Sequence, residues 1–164
     1  MNTANYMLDI ITRFRVILDA HTKHSKCFDQ YAIQVEYWLK GELLPFFDSE
    51  KNTGKLVDFN TEVPCGDENK RVDYRLILPY GEVAPKVWIE LKHWQIGYQG
   101  NQQWVASDYF SSISSWGICG DVEKLSKIID GDKYILILAT KNPEYEERGD
   151  WLKGIDKFNQ KFTH

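Results

Sequence analysis

The sequence predicts one α/β domain built on a mixed β-sheet, a three-strand antiparallel meander plus a crossover strand, flanked by helices. Two stretches, "RVDYRLIL" (71–78) and "KVWIELK" (86–92), alternate apolar and polar residues, which is the period of a strand with two unlike faces. "KYILILAT" (133–140) is a continuous apolar run, the pattern expected of a strand buried on both faces. Apolar residues at helical spacing bracket these strands on either side, so helices should cover the sheet.

The first element is a helix over the N-terminal twenty residues, where Asp9, Arg13, Arg15 and Asp19 interrupt the apolar residues at helical spacing. That amphipathic pattern argues against a signal-peptide core or a membrane span. A polar connector, "HTKHSK" (21–26), holds His21 and His24, read as exposed polar residues without a ligand-like partner set. In the next segment Phe28, Tyr31, Ala32, Val35, Trp38, Leu39 and Leu43 recur three and four apart, which predicts a second amphipathic helix ending near Pro45.

"KLVDFNTEV" (55–63) is expected to be a short strand, "PCGDENK" (64–70) a turn and "PYGEVAP" (79–85) a hairpin-like connection. Strand 71–78 places Val72, Tyr74, Leu76 and Leu78 on one face and Arg71, Asp73, Arg75 and Ile77 on the other. Strand 86–92 places Val87, Ile89 and Leu91 opposite Trp88, Glu90 and Lys92. "HWQIGYQGNQQW" (93–104) is too broken by Gly and Gln for regular structure, and 105–129 is expected to form one or two helical pieces. A turn, "DGD", leads into the apolar strand, and Trp151, Leu152, Ile155 and Phe158 predict a closing helix. The whole of 1–164 is expected to form a single domain, with 1–24 as a helical addition and 25–164 as the core.

A formal net charge of -4 excludes a protein that coats nucleic acid through a broad basic field, while leaving room for a local basic groove. Cys27, Cys65 and Cys119 are scattered and odd in number, so reduced thiols in a cytoplasmic protein are expected, with neither a disulfide framework nor a zinc site.

The chemistry-bearing feature is Glu90-Leu91-Lys92. An acid and a lysine two residues apart in a strand share one face, whereas Glu68-Asn69-Lys70, the same triplet, lies in the expected turn. Asp73 stands on the neighbouring strand of the meander. Two carboxylates brought together there repel each other, and a hard divalent cation relieves that repulsion. The plain alternative is an exposed strand face in which Glu90 and Lys92 guard a sheet edge and Asp73 joins a surface ladder with Arg71 and Arg75.

Asp73, sixteen residues, then Glu90-Leu91-Lys92 at the end of an apolar strand resembles the PD-(D/E)XK nuclease superfamily. The element order helix, three strands, helix, strand is similar to that family's restriction-endonuclease-like core. No proline precedes the aspartate, where the sequence reads Arg71-Val72-Asp73. The resemblance implies a Mg²⁺-dependent (or Mn²⁺-dependent) nuclease that hydrolyses phosphodiester bonds, here expected in DNA, by metal-activated water. Asp73, Glu90 and the backbone of Leu91 would bind the metal, and Lys92 would assist the nucleophile. The family's helix-borne glutamate would be Glu36, with Glu42 as its rival. Arg75, His93 and Trp94 are the expected substrate contacts, because guanidinium groups and rings reach phosphates and bases. Cutting both strands of a duplex with one site per chain favours a homodimer. The reading from another class is a catalytically silent module of the same fold that binds nucleic acid or protein.

Overall fold

The computed structural model describes residues 2–21, 23–24, 27–28, 35–81, 84–99, 102–104, 117–141, 156 and 159–160, with 67–68, 94–99, 102–104 and 139–141 described by their backbone alone. In order these give α1 (Thr3–Ala20), α2 (Glu36–Asn52), β1 (Asp58–Cys65), β2 (Asp67–Ile77), β3 (Lys86–Gln99), β4 (Gln102–Trp104), α3 (Ile118–Ser126) and β5 (Asp132–Lys141). Trp151, Leu152, Ile155 and Phe158, which carry the expected closing helix, and the stretch 105–116 lie outside the described residues. No helix among the described residues is long and apolar enough to cross a membrane.

β1, β2 and β3 form the antiparallel meander, and β5 returns parallel to β3 in the same sheet. The result is a mixed four-stranded sheet in the order β1-β2-β3-β5, with β4 paired to the far end of β3. Its two faces are buried differently. Tyr74, Leu76, Val87, Ile89 and Leu91 pack with Tyr6, Met7, Ile10 and Phe14 of α1 and with Leu39, Leu43 and Phe47 of α2. Cys65, Val72 and Trp88 pack with Leu125 and Ile128, at and just beyond the end of α3. Helices thus lie on both faces, and the strand face that carries Glu90 and Lys92 is roofed by α3.

Several elements differ from expectation. The second helix runs through Pro45 to Asn52. Pro45 and Gly41, whose carbonyl loses its intrahelical partner, are both exposed, so water can serve that carbonyl. Beyond the proline, Phe46 and Phe47 are buried, and that burial offsets the roughly 3 kcal/mol cost of an internal proline. The expected turn at 64–70 shrinks to Gly66, whose φ of +64° reverses the chain, and Asp67–Lys70 belong to β2. The Gly- and Gln-rich segment is strand, because Gln95 and Ile96 continue the parallel ladder with β5 and Gly97, Tyr98 and Gln99 pair with β4. Backbone pairing there overrides poor intrinsic propensity. Among the described residues β5 is half-buried rather than buried on both faces: it has a neighbour on one side only, and Ile137 is exposed.

Candidate functional site

The site forms where β2 and β3 part. Their ladder runs from Ile77↔Lys86 to Tyr74↔Ile89, so the next position would set Asp73 opposite Glu90. The main-chain ladder stops there, and Asp73 Oδ2 accepts the Leu91 N–H at 2.7 Å in its place. A side-chain carboxylate substitutes for a strand carbonyl and fixes the Glu90-Leu91-Lys92 segment. Opposite on β1, Glu62 has a left-handed backbone (φ +51°), an uncommon conformation for a residue with a side chain.

Helices supply the counter-charges. From α2, Lys40 Nζ lies 2.5 Å from Asp73 Oδ1 and 2.5 Å from Glu62 Oε1, while the Tyr74 hydroxyl donates to the Lys40 carbonyl at 2.7 Å. From α3, Lys124 Nζ lies 2.5 Å from Glu90 Oε1 and 3.4 Å from Asp121 Oδ1. Lys92 Nζ is 3.2 Å from Asp121 Oδ2. Asp73, Glu90, Lys92 and Asp121 are each between 5% and 8% exposed, which for charged side chains is rare unless they are paired.

Burial pushes the Glu90 carboxyl up to about 7, and repulsion from Asp73 adds to it against the pull of Lys124. Lys124 and Lys40 are also shifted upward: burial opposes their charge, but hydrogen bonds to Glu90 in the first case, and to Asp73 and Glu62 in the second, outweigh it. Glu36 is raised, chiefly by burial, and it feels Lys92, Asp73, Lys40 and Asp121. Glu36 thus lies within electrostatic reach of this cluster. Its rival Glu42 instead stands 3.8 Å from His21 Nε2. His21 and His24 approach each other at 3.3 Å between their Nδ1 atoms, beside Trp38.

The other expected contacts are Arg75, His93 and Trp94. Arg75 donates to Asn60 Oδ1 at 2.7 Å and stacks over Trp88, at the end of the sheet where it feels Asp58 and Asp130. His93 is half-buried, and burial holds its imidazole down to about 4, so it is neutral at pH 7. Trp94 pairs with Ala139 in the β3–β5 ladder, but its side chain lies outside the described residues.

Do these residues suit a divalent cation? Among the described residues no three His, Cys, Asp or Glu side chains converge as a ready-made cage. Mg²⁺ does not require one, since it commonly takes one or two carboxylates and keeps several waters. Glu90 Oε2 is buried without a hydrogen-bond partner, and so is Asp121 Oδ2, whose 3.2 Å approach to Lys92 is an ion pair without hydrogen-bond alignment. Hard, buried, underused oxygens held beside lysine ammonium groups are a donor set that fits a hard cation.

Sequence reasoning missed Lys40, Asp121 and Lys124. The available signals were helical spacings: Lys40 lies four residues after Glu36, and Lys124 three after Asp121, so each pair shares a helix face. Comparison of the chain with protein-family models, with curated proteins and with solved structures found no match.

Proposed function

We propose that this chain is a Mg²⁺- or Mn²⁺-dependent nuclease of the PD-(D/E)XK type that hydrolyses phosphodiester bonds in DNA. The observation that carries the reading is the buried Asp73–Glu90–Lys92 group at the fork of β2 and β3, with one Glu90 oxygen left unbonded. In this reading Asp73 and Glu90 hold the cation, and the Asp73 bond to Leu91 N–H keeps both strands in place beneath it. A cation bound there supplies a Lewis acid that lowers the pKa of water and neutralises phosphoryl charge. Lys92 orients the attacking water and stabilises the negative oxygens that form at phosphorus. Glu36 bears on this group from α2 and assists in positioning it. Cleavage of both duplex strands calls for a homodimer.

A second reading has its own observation. Lys40 and Lys124 already pair Asp73 and Glu90, as they would in a silent module whose cluster is purely structural. Incubation with duplex, single-stranded and branched DNA and with RNA, with and without Mg²⁺ or Mn²⁺, separates the two. Metal-dependent cleavage of DNA that disappears in both Asp73→Asn and Glu90→Gln supports the nuclease. Absence of cleavage on every substrate supports the silent module.

A further inference from the structure

Two unbonded carboxylate oxygens lie in the same buried cluster, one on β3 and one on α3. Glu90 Oε2 has no hydrogen-bond partner although Glu90 is 5% exposed, and Asp121 Oδ2 has none although Asp121 is 8% exposed. Leaving such a group unsatisfied is destabilising, the more so when it is charged. Between them stands one ammonium, Lys124 Nζ, at 2.5 Å from Glu90 Oε1 and 3.4 Å from Asp121 Oδ1. Lys92 adds a second ammonium 3.2 Å from Asp121 Oδ2, but neither lysine serves Glu90 Oε2, whereas a divalent ion that accepts about six oxygen ligands can draw on oxygens of both carboxylates.

We propose that Asp121 is a further metal-ligating carboxylate, paired with Glu90 across β3 and α3, and that the Lys124 ammonium is the resident cation which the metal displaces. The proposal rests on the nuclease reading of this cluster and extends its ligand set to the crossover helix. Asp73 is the more constrained neighbour: Oδ2 holds the Leu91 N–H and Oδ1 holds Lys40. A purely structural Asp121 is the competing account, since an acid in the first turn of α3 suits the helix dipole and can pair with Lys92. That account leaves the unbonded Glu90 oxygen unexplained.

The displaced ammonium remains on the rim of the metal. There it can meet an anionic phosphoryl oxygen, so one side chain first neutralises the carboxylates and then contacts the substrate.

The test is Mn²⁺ binding to the EDTA-stripped full chain, read by electron paramagnetic resonance of free Mn²⁺ and by the shift in thermal midpoint, with no substrate present. Asp121→Asn and Glu90→Gln should each weaken binding by about tenfold or more, and Asp121→Glu should restore most of it. Lys124→Met, which removes the competing charge, should tighten binding by about tenfold. Wild-type affinity in Asp121→Asn, unchanged affinity in Lys124→Met, or a wild-type chain that binds no Mn²⁺ each overturns the proposal. If Asp121→Asn does not fold, Lys124→Met decides alone. Mn²⁺ binding with these responses but no cleavage of any nucleic acid sinks the nuclease reading and leaves the metal site standing.

Discussion

Asp73 has two jobs that substitution can separate. Its Oδ2 takes the N–H of Leu91, a residue with no exposed surface, and its Oδ1 takes Lys40. Asp73→Ala strips the buried N–H of its acceptor, which costs about 1–3 kcal/mol. It also leaves Lys40 with Glu62 as its remaining partner in this pair, and losing one of two partners for a partly exposed lysine adds about 1 kcal/mol. Asp73→Asn keeps an oxygen for Leu91 but turns a donor amide toward Lys40, so it loses the Lys40 pair as alanine does while keeping the Leu91 acceptor. Part of that loss returns, because the repulsion that lifts Glu90 goes with it. Alanine should therefore be less stable than asparagine by about 1–3 kcal/mol, while both remove the negative charge needed for metal-dependent cleavage. Urea unfolding of the metal-free proteins reads this directly: with a slope of about 1–3 kcal/mol/M the two midpoints should differ by roughly 1 M. Equal midpoints would refute the claim that the Asp73–Leu91 bond splints the fork. Metal-dependent cleavage retained in Asp73→Asn would remove Asp73 from the chemistry.

Two further expectations concern the frame around the site. Gly131 (φ +74°) turns the chain into β5, and a Cβ there would lie 2.5 Å from the Lys86 carbonyl oxygen, whereas Gly54 (φ +73°) opens onto free space. Gly54→Ala should cost about 1–2 kcal/mol in chemical denaturation and Gly131→Ala clearly more, about 3 kcal/mol; equal losses would mean that the Lys86 contact yields without cost. The Tyr6 hydroxyl is buried, donates to the Lys55 carbonyl and is pushed up to about 12. A raised folded-state value stabilises fully below the unfolded value near 10 and is lost as pH rises through 12, a contribution of about 3 kcal/mol. Urea midpoints measured from pH 9 to 12 should fall more steeply for wild type than for Tyr6→Phe, and parallel curves would contradict the assignment.

The parts of this structure that were legible in the sequence are those set by local period. Alternation in 71–78 and 86–92 is enough to make two strands, and a short connection makes them antiparallel neighbours, which brings Asp73 and Glu90 to the same fork. Between Glu36 and Glu42 the helical period did not choose, since Glu42 lies nearer the centre of the apolar stripe; what separates them is tertiary, Glu42 lying by His21 and Glu36 within electrostatic reach of the cluster. What no local period reveals is which residue a helix brings from elsewhere. Lys124 reaches Glu90 only because Leu125 and Ile128 dock on the Trp88 face, and a lysine in a short helix is by default solvated. The misread segments share one cause. Pro45, Asp67–Lys70 at the start of β2 and the Gln-rich end of β3 all carry residues with poor propensity for the element they occupy, and tertiary pairing or burial decides their conformation.

The same tertiary placement bears on why the cluster exists at all. A sheet face roofed by a helix is satisfied by apolar side chains, as Trp88, Leu125 and Ile128 demonstrate two residues away. Replacing a buried ion pair by packed hydrophobes is commonly neutral or stabilising by about 1–4 kcal/mol, so Glu90 with Lys124 and Lys92 with Asp121 are a poor device for stability alone. The count of charges sharpens this. Among the described residues Glu36, Asp73, Glu90 and Asp121, with Glu62 at the rim, meet Lys40, Lys92 and Lys124, five carboxyl groups to three ammonium groups, in a place where excess negative charge is costly. Burial lifts the Glu90 carboxyl to about 7, and repulsion from Asp73 adds to that despite a lysine at 2.5 Å. A purely structural cluster gains nothing from such a deficit of positive charge, whereas the proposed metal site would use it.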